Sequence, residues 1–327
     1  MKNGFLNIFQ CCLLLAFLLT SCLKNNEDPV PEFKINDYVG QWKGTFPYKA
    51  ANAPSSELRM SLITYAGNSA LTGFLSTPYG ILILDNTVFF GGVYSFSVRN
   101  NSFDNPQCQS WDVNGSTYLM NASNLGLSFG GTFCSVHPDE ITGTMTKASE
   151  YPDSSIFLTY AAVGREFVYD VTEAPGIYYE SISKIQKDYE NGAWRILLTP
   201  GGGQKSSSEI CYWFITPVEW GILPENDSTP GDQQVNYRID ARVGTKYSRA
   251  IGSDSVIVTI KSMGEMVTVP AGTFKCVKMA REYKSFTPGG LSGYNEIWLN
   301  NNVGIIKNLQ YDGDSIIMTQ VLKEKNF

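Results

Sequence analysis

Histidine is almost absent from this sequence: His137 is the only one among 327 residues. Zinc sites that use two or more imidazoles are therefore excluded. A Ser-His-Asp triad would depend wholly on His137, and no Gly-x-Ser-x-Gly elbow accompanies it. His137 precedes a proline, and we interpret it as a loop residue. We expect no enzyme activity, no catalytic residue, no metal site and no cofactor.

Clustered basic residues and a second long apolar run are also missing. The chain has 25 lysine and arginine residues against 31 aspartate and glutamate residues, a formal net charge of −6. No basic cluster stands out, so nucleic acid is not an expected partner. After the N-terminal segment, no stretch approaches the roughly 18 apolar residues that a spanning helix needs, so we expect no further membrane crossing.

The N-terminus has the pattern of a secretion signal. Lys2 supplies a positive charge, Leu13–Leu19 forms an apolar core, and Thr20 and Ser21 precede Cys22. This segment resembles bacterial lipoprotein signals. The resemblance implies removal of residues 1–21 and attachment of acyl chains such as palmitate to Cys22, which would anchor the chain stably in a membrane. An uncleaved anchor over Phe5–Leu23 is the alternative.

Residues 22–34 are polar and contain prolines, which is typical of a flexible tether. Lys24 followed by Glu27 and Asp28 is similar to the surface-export signals of Bacteroidota lipoproteins. The resemblance implies an outer-membrane lipoprotein displayed on the cell surface in preference to the periplasmic side. An ordinary solvated linker is the alternative.

The chain has seven cysteines. Cys11 and Cys12 leave with the signal peptide and Cys22 is the predicted lipidation site, so four remain: Cys108, Cys134, Cys211 and Cys276. Export places them in an oxidising compartment, where disulfides form. Three connectivities are possible. We favour pairing the first with the second and the third with the fourth, because each bridge then stays within one predicted domain. Buried free thiols are the alternative.

Residues 35–149 read as short strands separated by glycine, asparagine and proline, which predicts an all-β domain that is an antiparallel barrel or a sandwich. The predicted strands include Val88–Val98 and Ile141–Lys147. The first strand carries Gly40-Gln41-Trp42-Lys43-Gly44. This motif resembles the Gly-x-Trp opening of lipocalin-like (calycin) barrels. The resemblance implies that Trp42 closes the base of a barrel whose interior holds side chains or one small ligand.

Residues 156–327 again favour strands, with at most one or two short helices; Ser181–Tyr189 is predicted to be either a short helix or a long strand. Pro270-Ala271-Gly272 is predicted to be a turn that links two strands. Three patterns follow in order: Arg242–Tyr247, Val267–Cys276 and Glu296–Lys307. Together they resemble uncharacterised bacterial families related to the TapB proteins. The resemblance implies the curved antiparallel sheet of the LolA/LolB fold, but no acyl-binding residue carries over.

Two functions fit this organisation. The first is a non-catalytic, lipid-anchored envelope lipoprotein that binds a hydrophobic or acyl ligand in a β-concavity. The second is a surface glycan-binding or adhesion accessory lipoprotein, because sugars stack on aromatic faces. Its candidate stacking residues are Tyr178, Tyr179, Tyr212, Trp213 and Trp220. Core packing is the alternative for each of them, and a purely structural role in the envelope also remains open.

Overall fold

The computed structural model describes residues 33–46, 56–65, 70–77, 80–99, 111–133, 141–148, 157–201, 207–224, 228–229, 233–251, 254–285 and 293–327. The predictions on the signal peptide, Cys22, Cys108, Cys134 and His137 lie outside these residues. Ile35–Phe327 form one compact unit. Within the described ranges, the chain has no helix with the length and apolarity needed to cross a bilayer.

Antiparallel strands dominate the described residues, which confirms the predicted all-β fold. A 3-10 turn at Ile35–Tyr38 precedes the strands. The first nine are β1 (Gly40–Phe46), β2 (Ser56–Tyr65), β3 (Ala70–Thr77), β4 (Gly80–Ile83), β5 (Asp85–Phe90), β6 (Val93–Arg99), β7 (Trp111–Asn121), β8 (Asn124–Phe133) and β9 (Ile141–Lys147).

Twelve further strands complete the chain. They are β10 (Glu166–Glu173), β11 (Ile177–Asp188), β12 (Ala193–Gly201), β13 (Glu209–Ile215), β14 (Glu219–Ile222), β15 (Gln234–Arg238), β16 (Lys246–Ile251), β17 (Asp254–Val269), β18 (Gly272–Ser285), β19 (Gly293–Asn300), β20 (Gly304–Asp312) and β21 (Ser315–Lys325). The division between the two sheets falls between β9 and β10. Whether segments 35–149 and 156–327 are independent domains stays a prediction.

The first sheet has nine strands in the order β4-β3-β2-β1-β9-β8-β7-β6-β5. Strands β1 and β9, the first and last of this sheet along the chain, pair with each other. The strands therefore run up and down around a ring with one break, between β4 and β5. The amide of Leu84, the residue between these two strands, donates to the carbonyl of Gly73 on β3 at 3.1 Å. Leu58, Met60 and Leu62 alternate along β2 and are fully buried, as the period of a half-buried strand predicts.

The second sheet has twelve strands in the order β15-β14-β13-β12-β11-β10-β21-β20-β19-β18-β17-β16. Here too the first and last strands along the chain, β10 and β21, pair with each other, and the break lies between β15 and β16. A hydrogen bond crosses this break: the backbone amide of Arg238 donates to the Tyr247 hydroxyl at 3.2 Å. We call the junction of β15 with β16–β18 the seam.

The segment 157–161 closes one end of the twelve-stranded sheet, which we call the base. The amide of Leu158 donates to the Pro217 carbonyl at 2.7 Å, and the amide of Thr159 donates to the Asn301 carbonyl at 2.9 Å. Phe157 and Tyr160 are fully buried in the main hydrophobic core. The opposite end, where β11 and β15 begin and β18 ends, is called the rim.

Several predicted strand limits differ from the observed ones. Val88–Val98, predicted as one strand, is the β5–β6 hairpin, because Gly91 and Gly92 adopt positive φ angles of 58° and 75°. Ser181–Tyr189 belongs largely to strand β11, which resolves the open alternative in favour of a strand. Pro270–Gly272 is confirmed as the turn between β17 and β18, with Gly272 at φ 133°.

Candidate functional site

The inner face of the twelve-stranded sheet is the face that carries Phe167, Ile196 and Val258 into the core. Near the base its side chains are almost completely buried. Toward the rim, inner-face side chains of the same apolar kind are only partly buried against that core: Tyr179, Leu198, Cys211, Tyr283 and Met318. The inner face therefore presents accessible apolar surface near the rim above a packed floor.

Arg281 lies on this inner face of β18. It stands opposite Val258 on β17 and opposite Asn295 on β19, and directly opposed residues of antiparallel strands share a face. Its exposed fraction is only 8%. The chain thus places a cation in the wall of an otherwise apolar and aromatic interior.

The guanidinium of Arg281 has few protein partners. Its Nη2 donates to Oε1 of Gln234 at 3.3 Å, and its Cζ lies 5.2 Å from the ring centroid of Tyr283. Its Nε has no hydrogen-bond partner, and within the described ranges no carboxylate forms a salt bridge with it. Burial lowers the pKa of Arg281 below its ordinary value, yet arginine remains protonated in proteins.

Two further buried polar side chains lie on β15, and one of them, Gln234, contacts Arg281. Gln234 accepts the arginine bond through Oε1, while its Nε2 has no hydrogen-bond partner among the described residues. Asn236 is fully buried, and neither its Nδ2 nor its Oδ1 has a hydrogen-bond partner in the same part of the chain. Buried polar groups in native proteins are almost always hydrogen-bonded, and each orphaned group costs about 1–3 kcal/mol. Arg281 and Gln234 therefore form a buried polar contact at the seam that leaves donors of both side chains unpaired among the described residues.

Other charges near the rim are already engaged or more exposed. The Tyr179 hydroxyl donates to Glu173 at 2.7 Å, and burial together with this bond raises the pKa of Tyr179 to about 12. Arg249 stands opposite the core residue Val256 and is partly exposed, so it adds a second cation to the same face. Arg281 is more deeply buried than Arg249 and, unlike Tyr179, contacts no carboxylate within the described ranges.

A second pair of charges lies deeper in the seam. Nε of Arg238 is 3.5 Å from Oδ1 of Asp240, and both side chains are less than a tenth exposed. Burial raises the pKa of Tyr237 to about 12 and that of Tyr247 well above its usual range. This buried pair is matched in charge, unlike Arg281.

Comparison with known proteins gives one family match. Residues 225–322 match a family described as DUF3108-like, a stretch that holds β15–β20, most of β21, and both Arg281 and Gln234. No curated protein matches the chain.

Solved structures give distant likenesses. A Bacteroides fragilis protein described as exported, with a YmcC-like fold, is 16% identical with a TM-score of 0.39; 52% of this chain and 99% of that one are covered. A Parabacteroides distasonis protein described as a lipoprotein is 18% identical with a TM-score of 0.35; 52% of this chain and 98% of that one are covered. A Nostoc punctiforme protein of unknown function from the DUF3598 family is 12% identical with a TM-score of 0.23; 90% of this chain and 100% of that one are covered.

The five predicted stacking aromatics do not form one exposed platform. Trp220 is only 1% exposed and packs edge-on against Trp213, with ring centroids 6.2 Å apart, which agrees with the core packing given as the alternative to sugar stacking. Tyr179 and Trp213 pack against the inner core. Tyr212 packs on a separate cluster with Tyr189, and only Tyr178 is widely exposed, at 61%.

The predicted Cys211–Cys276 disulfide is also wrong. Both thiols are free. Cys211 on β13 stands opposite Ile196 and Cys276 on β18 stands opposite Glu265, on strands that are not neighbours in the sheet. A disulfide needs Cα atoms within about 7 Å, and pairing between neighbouring strands does not bring these two together. Burial raises the pKa of each thiol to about 12.

A cavity of about 200 Å³ lies at the base, away from the rim. Its lining combines the closing segment with the nearby turns: Leu158, Ala161, Asp188, Gly192, Trp194, Ile215, Thr216 and Pro217. None of the predicted site residues lines it. Sequence reasoning also missed Arg281 and Gln234, which the fold brings together from β18 and β15.

Proposed function

We propose that this chain is an exported, non-catalytic lipoprotein that binds an anionic amphiphile on the inner face of its twelve-stranded sheet. The acyl tail packs against the partly buried apolar side chains near the rim, and Arg281 holds the anionic head group. The observation that carries the proposal is a guanidinium, 8% exposed, without an anionic partner in the described part of the chain.

The physical case begins with the charge. A buried, unpaired ion is costly, and proteins normally pair it or bind it to a ligand. A guanidinium presents several N–H donors in a planar fork that suits a carboxylate or phosphate, and among the described residues only Nη2 of Arg281 finds an acceptor. An anionic head group would supply the missing acceptors, and Nε2 of the adjacent Gln234 would be a further donor.

The apolar side of the ligand has its own surface. Leu198, Tyr283 and Met318 are partly buried inner-face residues packed on the main core. Covering apolar surface contributes about 25 cal/mol per Å² removed from water, so an acyl chain lying here gains affinity without specific contacts. Ligand sites commonly combine such a lining with a few placed polar groups.

Attachment to the envelope completes the proposal. Cys22 carries the acyl anchor, residues 22–34 form the tether, and the protein resides at the outer membrane with the surface side favoured. The lipocalin-like resemblance of residues 35–149 and the LolA-like resemblance of residues 156–327 are consistent with ligand-holding β-folds. Fully buried Trp42, whose Nε1 donates to the Tyr38 carbonyl at 2.9 Å, is compatible with a barrel-closing role.

A paired-ligand titration tests the proposal. The acylated protein is purified, and binding of sodium dodecanoate is compared with that of dodecan-1-ol, which has the same tail and no charge. Dodecanoate should bind more tightly, and Arg281→Gln should weaken it roughly tenfold to a hundredfold, because a charge-assisted hydrogen bond contributes about 1.5–3 kcal/mol. Dodecanol binding should change little.

The matched control is Arg59→Gln on the nine-stranded sheet. Arg59 is exposed and pairs only with Glu57 at 2.6 Å, so its loss should leave both affinities unchanged. Equal affinity of the parent protein for the two ligands, or no binding of either, would overturn the proposal.

A further inference from the structure

The nine-stranded sheet exposes apolar side chains at the β5–β6 turn and on β7. Phe90, at 84% exposed, stands opposite Val93, and Val93 stands opposite Tyr118. Val88 and Met120 are also exposed. We call these five residues the apolar tip. Contiguous exposed apolar surface of this kind marks a site of protein or membrane contact.

The two segments that carry the apolar tip contain no charged residue. Neither 88–97, within the β5–β6 hairpin, nor 114–124, at the end of β7 and in its turn, contains an aspartate, glutamate, lysine or arginine. An uncharged apolar surface with a tyrosine beside it suits the boundary between headgroups and acyl chains, where amphipathic aromatic rings are enriched.

The chain enters the body at the same place. The Tyr38 hydroxyl donates to the carbonyl of Gly92 in the β5–β6 turn and accepts from the Leu119 amide at 3.1 Å. The Tyr38 ring packs edge-on against Phe89, with centroids 5.5 Å apart. Cys22 and Ile35 are 13 positions apart in the sequence, a span of at most about 45 Å when fully extended. An anchor at Cys22 therefore keeps this end of the sheet close to the bilayer.

A cation also lies at this end. The Lys147 side chain is exposed, its backbone amide donates to the carbonyl of Ser123 in the β7–β8 turn at 2.9 Å, and its Nζ is 3.5 Å from the carbonyl oxygen of Asp37. Lysine beside an apolar surface is favourable at an interface that carries phosphate headgroups.

We propose that the apolar tip inserts into the headgroup region of the bilayer that holds Cys22. This inference rests on the lipid anchor of the proposed function and is independent of the ligand site at Arg281. A single acyl attachment leaves the body free to rotate on its tether. Insertion of the tip adds a second contact and fixes which end of the nine-stranded sheet faces the lipid.

Fluorescence quenching in vesicles tests the insertion. Acylated Phe90→Trp protein is reconstituted into phosphatidylcholine vesicles, and its emission is compared with that of the parent protein, whose six tryptophans give the background. The added tryptophan should emit at shorter wavelength and lose intensity with lipids brominated near the headgroup end of the chain, since interfacial apolar residues lie about 5–10 Å deep. Tyr178→Trp, at an exposed site on the other sheet, should respond only to aqueous iodide.

Equal iodide quenching at positions 90 and 178, with no quenching by brominated lipid, would overturn the proposal. A dimer in sedimentation that Phe90→Asp abolishes would overturn it as well, because a second copy would then cover the tip. The mass of the mature chain checks acylation separately. If Cys22 is unmodified, the anchor fails, and adding vesicles to the same variants still tests the tip.

Discussion

Arg281 and Gln234 meet across the break in the twelve-stranded sheet, where Nη2 of the arginine donates to Oε1 of the amide at 3.3 Å. Their strands, β18 and β15, are not hydrogen-bonded neighbours. The contact therefore has two possible roles, a latch that holds the seam together and a support that holds the guanidinium ready for an anion. The two roles predict opposite effects on stability.

If Arg281 serves ligand binding, its removal should not destabilise the fold once its partner is replaced too. Exchanging both members of a buried polar pair for apolar groups of similar shape is close to neutral or stabilising. We expect the double variant Arg281→Met, Gln234→Leu to have a urea unfolding midpoint equal to or higher than that of the parent protein. A latch would instead give a clear loss of unfolding free energy in the double variant.

Arg238→Met supplies the contrast. Arg238 faces Asp240 at 3.5 Å, and both side chains are almost fully buried. Removing one partner of a buried ion pair takes away the favourable interaction that offsets the burial of the other charge, which costs about 3–5 kcal/mol. The urea midpoint of this variant should fall strongly under the same conditions.

The residues of this site show what the sequence could and could not predict. Alternation along Val277, Met279, Arg281 and Tyr283 is visible in the sequence and places Arg281 in an inward position of a strand. Gln234 gives no such signal, because it follows a proline- and glycine-containing loop at the start of a short strand. Their meeting depends on how twelve strands curl, which no local pattern encodes.

The strand pattern was predicted well where alternation was regular and poorly where turns were short. Ile141–Lys147 was predicted with its observed limits. The four-residue strand β14 was missed, since Glu219–Ile222 is too short to show a period. The Cys211–Cys276 pairing failed because sharing a domain says nothing about which strands are neighbours.

Gly73 lies on β3, where the nine-stranded ring comes closest to closing. A Cβ at this position would lie 1.9 Å from the backbone oxygen of Ser61, so the β2–β3 pair would have to shift. We expect Gly73→Ala to lower the free energy of unfolding by about 1–3 kcal/mol. Gly293→Ala is the control, because its Cβ would meet only Tyr283 at 3.8 Å; its effect should stay within about 0.5 kcal/mol. Equal melting temperatures for the two variants would contradict the prediction.

The free thiols should be unreactive in the folded protein. The thiolate is the reactive form, and burial raises the pKa of Cys211 and Cys276 to about 12, so both are protonated at pH 8. We expect peptide mapping after iodoacetamide treatment to find Cys276 unmodified in the native protein and fully modified in urea. Recovery of a disulfide-linked peptide containing both residues would contradict the structure.

Trp298 and Glu265 should be coupled in a way that depends on pH. The indole Nε1 donates to Oε1 of Glu265 at 2.9 Å, and this bond is the main cause that lowers the pKa of Glu265 below its ordinary value of 4.5. A carboxyl group whose pKa is lower in the folded state stabilises the fold above its unfolded pKa. That stabilisation disappears as the pH falls through the lowered folded value.

Trp298→Phe removes the donor and keeps an aromatic ring between Lys278 and Lys307, whose Nζ atoms lie 4.6 and 5.0 Å from the indole. We expect this substitution to destabilise the protein more at pH 7 than at pH 3, as measured by urea unfolding at both values. In a Glu265→Gln background the same substitution should lower the free energy of unfolding equally at both pH values, because residue 265 then has no carboxyl group to titrate. A pH-independent loss in the parent background would mean that the Trp298 bond does not favour the charged form of Glu265, and that Trp298 stabilises the sheet through packing and its lysine contacts alone.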